Sequence, residues 1–333
     1  MIKYIIKRLL QLIPVLFGVS VIVFFLMRVC APDPGPIVLG QHATEESIQE
    51  WRDVNGLNDP IITQYVDFIK GAFQGDLGTS YYTKTPVTKE IMTRFPATVE
   101  LAISAIIFAS IFGIIIGVIS AIKKNTIFDT GGMVLSLVGV SMPIFWLGIL
   151  LIILFAGVLH WLPSNGRIDP VMKPATVTGL MLIDSLIAGK IDAFWDAIRH
   201  LVLPTLALSL YSMAIIARMT RSSMLETLNL DYIRTARAKG ISEGKVTRKH
   251  ALRNALMPIV TVIGLQLGGL LGGAVLTESV FSWPGIGAFT VNCILKSDFP
   301  VVQGVVLLIA VIFVMMNLIV DIIYAFLDPR IKY

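Results

Sequence analysis

The sequence predicts an all-α integral membrane protein with six transmembrane helices. Three observations carry that expectation. Hydrophobic residues make up 55% of the 333 residues and charged residues only 15%, where a soluble chain carries about 25% charge. Six windows are apolar over the length that crosses a bilayer, about 17 residues or more. Lys and Arg are distributed unevenly between those windows, as they are in the loops of multi-pass proteins. So little charge cannot cover a soluble surface of this size, which excludes most soluble enzymes and disorder. The formal charge is +5, and its placement matters more than its sum.

The windows run about 9–29, 98–122, 133–159, 201–217, 255–276 and 302–326. Each is long and continuous, and a spanning segment must satisfy its backbone hydrogen bonds internally, so each reads as a helix. A barrel would show short alternating strands instead. The first window follows a basic start, Lys3, Lys7 and Arg8, as a secretory signal would. Its apolar run is too long for a signal core and lacks a small-x-small cleavage site. Cys30 follows Met27-Arg28-Val29, which lacks the small pair of a lipoprotein signal. A retained first helix is expected.

With the N-terminus inside, Lys and Arg are more than threefold denser on the inside segments than on the outside ones. Both termini are therefore expected in the cytoplasm. The chain divides into 1–29 (N-terminus and first helix), an extracytoplasmic segment 30–97, a five-helix core 98–326, and a cytoplasmic end 327–333. The extracytoplasmic segment has helix-like stretches at Thr44–Val54 and Pro60–Phe73, with turn-rich breaks such as Gly75-Asp76 and Thr85-Pro86. Within the core lies a cytoplasmic loop, 218–253, with nine basic and three acidic residues.

That loop carries the clearest functional pattern. Two short helical stretches meet at Gly240, a residue type that ends helices in the left-handed conformation. Ser242 is then an expected N-cap. Small residues at the bend permit close approach, and the basic ones supply charge complementarity to a partner. The plainer reading is a basic loop that touches lipid headgroups. The order of residues adds to this. Arg234-Thr235-Ala236, Gly240 and the later Ala255-Leu256-Met257-Pro258 resemble the cytoplasmic motif of ABC importer permeases, Glu-Ala-Ala-x-x-x-Gly and a later Ile-x-Leu-Pro. Arg234 stands in the Glu slot and Ala255 in the Ile slot. Four further stretches resemble the dipeptide/oligopeptide/nickel branch of that family: Gly75–Ser80 with Arg94–Leu101, Ser141–Gly148, Glu278–Gly287 and Leu327–Arg330. The likeness runs through nearly the whole chain in order, and the large segment between helices 1 and 2 resembles the first of that branch's two permeases.

The resemblance implies a non-catalytic subunit in the cytoplasmic (inner) membrane of a prokaryote. It forms a pathway for dipeptides or oligopeptides with a second permease. Two ATP-binding subunits would dock from the cytoplasm and a substrate-binding protein would deliver cargo from outside. ATP and Mg would be bound by those ATPase subunits, since this chain has no GxxxxGK[ST] loop to cradle phosphates. The residues implied in coupling are Arg234, Thr235, Ala236, Arg237, Lys239, Gly240 and Ser242, with Ala236 and Gly240 acting through close packing. Nickel or another small solute is the alternative cargo. No nucleic acid partner is expected.

Inside the membrane, Gly264, Gly268 and Gly272 repeat at four-residue spacing, a face that lets helices approach closely. It fits an interface with the second permease or packing within the chain. Gln266 faces the pathway or bonds a neighbour, and Gly113 and Gly117 fit packing. Pro143 is expected to kink the third helix, and Trp146 either to pack or to anchor at the membrane interface. Asp321, the acid of the last window, is expected as a partnered structural carboxylate. Cys30 and Cys293 either pair or remain as two thiols, and the four histidines form no close pair. A self-powered transporter would need paired intramembrane ionisable groups or inverted repeats. An intramembrane hydrolase would need a Ser/His, Asp/Asp or HExxH arrangement. The sequence offers neither.

Overall fold

A computed structural model describes residues 2–40 and 42–327. The chain is helical, with one isolated antiparallel bridge, Thr79 to Pro86, among the described residues. The side chain of Asp321 and the ending Asp328–Arg330 lie outside the described residues.

The first helix, α1 (Ile2–Val29), is apolar from Ile13 onward. Three short helices follow: α2 (Pro34–Leu39), α3 (Glu45–Val54) and α4 (Ile61–Phe73). The last two fall on the expected helix-like stretches. Thr44 caps α3, its hydroxyl oxygen accepting the Ser47 N–H at 3.2 Å, and Glu45 and Glu46 occupy the first turn, where the helix dipole favours acids.

The next helix, α5 (Val87–Ile122), begins well before the expected window. Its 36 residues span about 54 Å at 1.5 Å per residue, more than the bilayer's hydrocarbon core. The third window is not one helix. α6 (Ile127–Ser141) and α7 (Ile144–Leu151) meet at 103° across Met142 and Pro143. α7 then continues into a π-helical turn, Ile152–Val158. Pro143 has no N–H to continue α6, and its φ of −61° starts α7 instead. The expected kink is thus a full break. Trp146 is 46% exposed at that break, which fits the anchoring reading better than packing within the chain.

Beyond α8 (Met181–Ile187), α9 (Ile191–Leu228) is a single helix of 38 residues. It absorbs the first part of the expected cytoplasmic loop. The rest of the loop is helical too: α10 (Asp231–Ala238), α11 (Glu243–Lys245) and a π turn, Val246–Leu252, leading into α12 (Arg253–Gly273). Then come α13 (Val275–Val280), α14 (Ile286–Leu295) and α15 (Phe299–Leu327). Among the described residues, α5, α9, α12 with its lead-in, and α15 are each long and apolar enough to cross a membrane; the broken α6–α7 pair makes a fifth.

The core is built on α5 against α9. A Cβ at Gly113 would lie 2.9 Å from the Met213 carbonyl, and one at Gly117 would lie 2.6 Å from that of Ala217. The glycines let the two backbones touch, which is how membrane helices gain packing energy when lipid is as apolar as the helix face. Gly113 and Gly117 thus pack within the chain, as expected. Leu101, Ala105, Ala109, Leu208 and Ile216 fill the contact.

Candidate functional site

On the α10–α11 elbow, Ile233 and Ala236 sit one turn apart and point inward, onto Val246 and Ala251. These four residues belong to the same core that α5 and α9 build, so the elbow is seated on the main core. α10 ends as its sequence dictates. Gly240 takes φ +72°, its N–H donates to the Arg237 carbonyl (2.9 Å), and the Ile241 N–H donates to the Ala236 carbonyl (3.3 Å). This pair of bonds is a Schellman stop. Arg237 forks onto Glu243, Nε to Oε1 at 2.7 Å and Nη2 to Oε2 at 3.2 Å, tying α10 to α11. The Asn254 amide donates to the Tyr232 hydroxyl (2.8 Å), which fixes α10 to the start of α12.

Arg234, Thr235, Arg237, Lys239, Gly240 and Ser242 are all exposed. Ala236 is buried within the chain, because helical spacing places it beside Ile233 rather than on the outer face. Its packing is internal. Nothing lies within 4 Å of a Cβ built at Gly240, so no close contact in this chain demands glycine there; the backbone conformation does. Ser242 holds the N-cap position of α11, but its side chain makes no capping bond. Its carbonyl accepts Lys245 N–H (2.9 Å) and Val246 N–H (3.0 Å) instead.

Within the membrane, a Cβ at Gly272 would lie 3.0 Å from Ile309 and one at Gly268 3.4 Å from Phe313. Both glycines therefore face α15 of the same chain. Gly264 is half-buried. Gln266 donates to the Ser212 hydroxyl at 3.0 Å, bonding α12 to α9. Pro143 stands apart from this group, at the break between α6 and α7.

At the opposite end from the elbow, stretches far apart in sequence converge. The Glu278 side chain is fully buried. It accepts hydrogen bonds from the Thr98 hydroxyl (2.6 Å) and the Ala288 N–H (2.8 Å). Thr98 in turn accepts the Ile286 N–H at 2.9 Å, and the Trp283 indole donates to the Ala97 carbonyl at 2.8 Å. A Cβ at Gly285 would lie 2.1 Å from the Glu278 carboxylate, so the loop closes only on glycine. Two residues along α5, Glu100 accepts Arg167 Nε (3.1 Å) and the Leu182 N–H (2.9 Å). Buried charges persist where they are paired and hydrogen-bonded. Asp298 accepts the Ser80 hydroxyl (2.6 Å) and the Tyr81 N–H (3.1 Å). Sequence reasoning quoted the stretches around Thr98, Glu278 and Ser80 but did not join them. It also missed Asp129, whose carboxylate receives Arg221 Nε (2.6 Å) and Nη2 (2.7 Å). The one signal was an acid in or beside an apolar window: Glu100 within 98–122, Asp129 just before 133–159, Glu278 just past 255–276 and Asp298 just before 302–326. Cys30 is exposed, Cys293 is buried, and both are free thiols.

Comparison with known proteins places this geometry. Residues 113–333 match the family described as binding-protein-dependent transport system inner membrane component, and residues 1–102 match its N-terminal counterpart. The dipeptide transport system permease protein of Alkalihalophilus pseudofirmus is 49% identical, with 100% of both chains covered. The di/tripeptide transport system permease protein of Pseudomonas aeruginosa is 47% identical, over 100% of this chain and 99% of the relative. The glutathione transport system permease protein of Escherichia coli is 40% identical over 100% of both. A chain of the MetNI methionine ABC transporter, in an inward-facing conformation, shares the fold with a TM-score of 0.51 at 18% identity. It covers 70% of this chain and 93% of its own. With more than half its length matched by one family, the chain belongs to the binding-protein-dependent transport system inner membrane components.

Proposed function

We propose that this chain is the first permease subunit of an ATP-driven importer of dipeptides or oligopeptides. It spans the membrane six times, with α1 as the sixth crossing and both termini in the cytoplasm. It forms the pathway with a second, related permease, receives cargo from an extracytoplasmic binding protein that contacts segment 30–97, and couples to two ATPase subunits through residues 231–254. The observation that carries the reading is the α10–α11 elbow. Its buried side chains seat it on the main core, the Arg237–Glu243 fork braces it, and its charged residues turn outward, as a rigid part that docks on a soluble partner must. Full-length relatives named for dipeptide and di/tripeptide transport support peptide cargo over nickel.

ATP closure of the ATPase dimer would then push on the elbow. α9 and α12 flank it directly, so its displacement passes to two core helices. That makes the elbow a two-state element biased by nucleotide, which coupling requires. Gly240→Trp should keep the ATPase subunits bound but abolish peptide uptake, because an indole would stand on the open docking face. Uptake at the wild-type rate in that variant sinks the docking assignment. The first test is purification of the tagged chain in mild detergent from its native membranes. Recovery of a second permease and two ATPases, with hydrolysis stimulated by peptide-loaded binding protein, is expected. A chain that emerges alone and stable overturns the reading.

A further inference from the structure

The α5–α6 turn, Lys123–Thr126, joins an apolar surface to a local positive charge. Along α5, Ile107, Ile111, Ile115 and Ile119 are exposed at four-residue spacing, and Ile122 continues the row to the turn. Past the turn, Ile127 is 82% exposed and Phe128 55% exposed. This row is an exposed apolar surface that ends in two lysines. Lys123 Nζ lies 3.9 Å from the centre of the Phe128 ring, a cation–π contact that holds the ammonium at the apolar edge. Asp129 is the only acid between 123 and 132, and the Arg221 fork takes both of its oxygens. Asn125 N–H also donates to it at 3.0 Å. Among the described residues, neither Lys123 nor Lys124 forms an ion pair. The turn itself is fixed, with Asn125 left-handed at φ +61° and the Thr126 hydroxyl bonded to the Lys123 carbonyl at 2.6 Å.

We infer that this turn binds the headgroup of an anionic phospholipid, the two ammonium groups on its phosphate and the exposed row of α5 against an acyl chain. The inference rests on the membrane orientation proposed above. Its chemistry is local: a fixed acid–arginine pair removes the acid that would otherwise neutralise the lysines. A soluble protein partner is disfavoured because the charge is continuous with a row of isoleucines at membrane depth.

The test uses the full-length chain, purified with whatever subunits accompany it. The protein is placed in nanodiscs of phosphatidylcholine alone or mixed with phosphatidylglycerol, and native mass spectrometry counts the lipids retained on the chain. Wild type should retain phosphatidylglycerol in preference to phosphatidylcholine. Lys123→Gln and Lys124→Gln should each weaken retention about fivefold, as a lysine near a membrane surface does. Lys123→Arg with Lys124→Arg should keep it, which separates charge from folding. Equal retention in the double Gln variant overturns the proposal. Loss of an ATPase subunit with lipid retention unchanged also overturns it and assigns the patch to protein docking. Nanodiscs expose both faces, so this readout does not depend on the orientation, and failure of the transport reading would appear only in the subunit recovery.

Discussion

Thr98 serves two loops with one hydroxyl, donating to Glu278 and accepting from Ile286. Thr98→Val keeps the shape and removes both bonds. It leaves a fully buried carboxylate oxygen and an N–H without partners, at a cost of about 1–3 kcal/mol. The thermal midpoint of the purified chain should fall, and Thr98→Ser should restore it; an unchanged midpoint in the Val variant would mean water replaces the hydroxyl. Asp184 offers a pH readout outside the spans. Burial raises its carboxyl, but N–H groups of Thr178 and Gly179 and the Thr178 hydroxyl overcome this and hold it below the usual carboxylate range. A lowered folded value favours the folded state above the unfolded value of about 3.9. That stability is lost as pH falls through the lower folded value. Acid unfolding should therefore steepen below about pH 3.9 in wild type and flatten in Asp184→Asn. Matching profiles for the two proteins would remove Asp184 from the account.

Between elements, glycine position decides which helices touch. Gly117→Leu puts a branched side chain where a Cβ already meets Thr220 at 2.5 Å and the Ala217 carbonyl at 2.6 Å. Backbone cannot give way as a side chain can, so α5 and α9 must separate, at about 3 kcal/mol. Loss of folded chain on size-exclusion chromatography is expected. Gly269→Ala is the control, since nothing lies within 4 Å of the added Cβ; it should elute and melt like wild type. A normal Gly117→Leu variant would show that the α5–α9 contact is looser than the geometry implies. Gly240 lies at the other extreme. Within this chain only its φ of +72° asks for glycine, because an L side chain there costs about 1–2 kcal/mol.

The whole molecule places its two thiols in different settings. Cys30 is exposed just past α1. Cys293 is buried, and burial, followed by the nearby Asp298 charge, pushes its thiol up to about 12. A thiol so protonated reacts slowly. A membrane-impermeant maleimide applied to intact spheroplasts should label Cys30 and not Cys293, and Cys30→Ser should abolish the signal. Denaturation should then reveal the second thiol. No labelling of intact cells, with full labelling of inverted vesicles, would reverse the orientation proposed here.

The sequence alone determined the solvent class, the apolar windows, the helices at Thr44–Val54 and Pro60–Phe73, and the Gly240 stop. These depend on composition, capping and backbone freedom, all local to the chain. Tertiary structure decided the rest. Gly268 and Gly272 face α15, Ala236 packs inward, Asp129 meets Arg221, and Glu278 reaches Thr98 across 180 positions of sequence. The reason is the solvent. A soluble helix marks its buried face by contrast with a polar one. A membrane helix is apolar toward both lipid and protein, so its pattern says that it crosses but not which way it turns. Only the packed helices fix that rotation, and with it the partner of each buried acid.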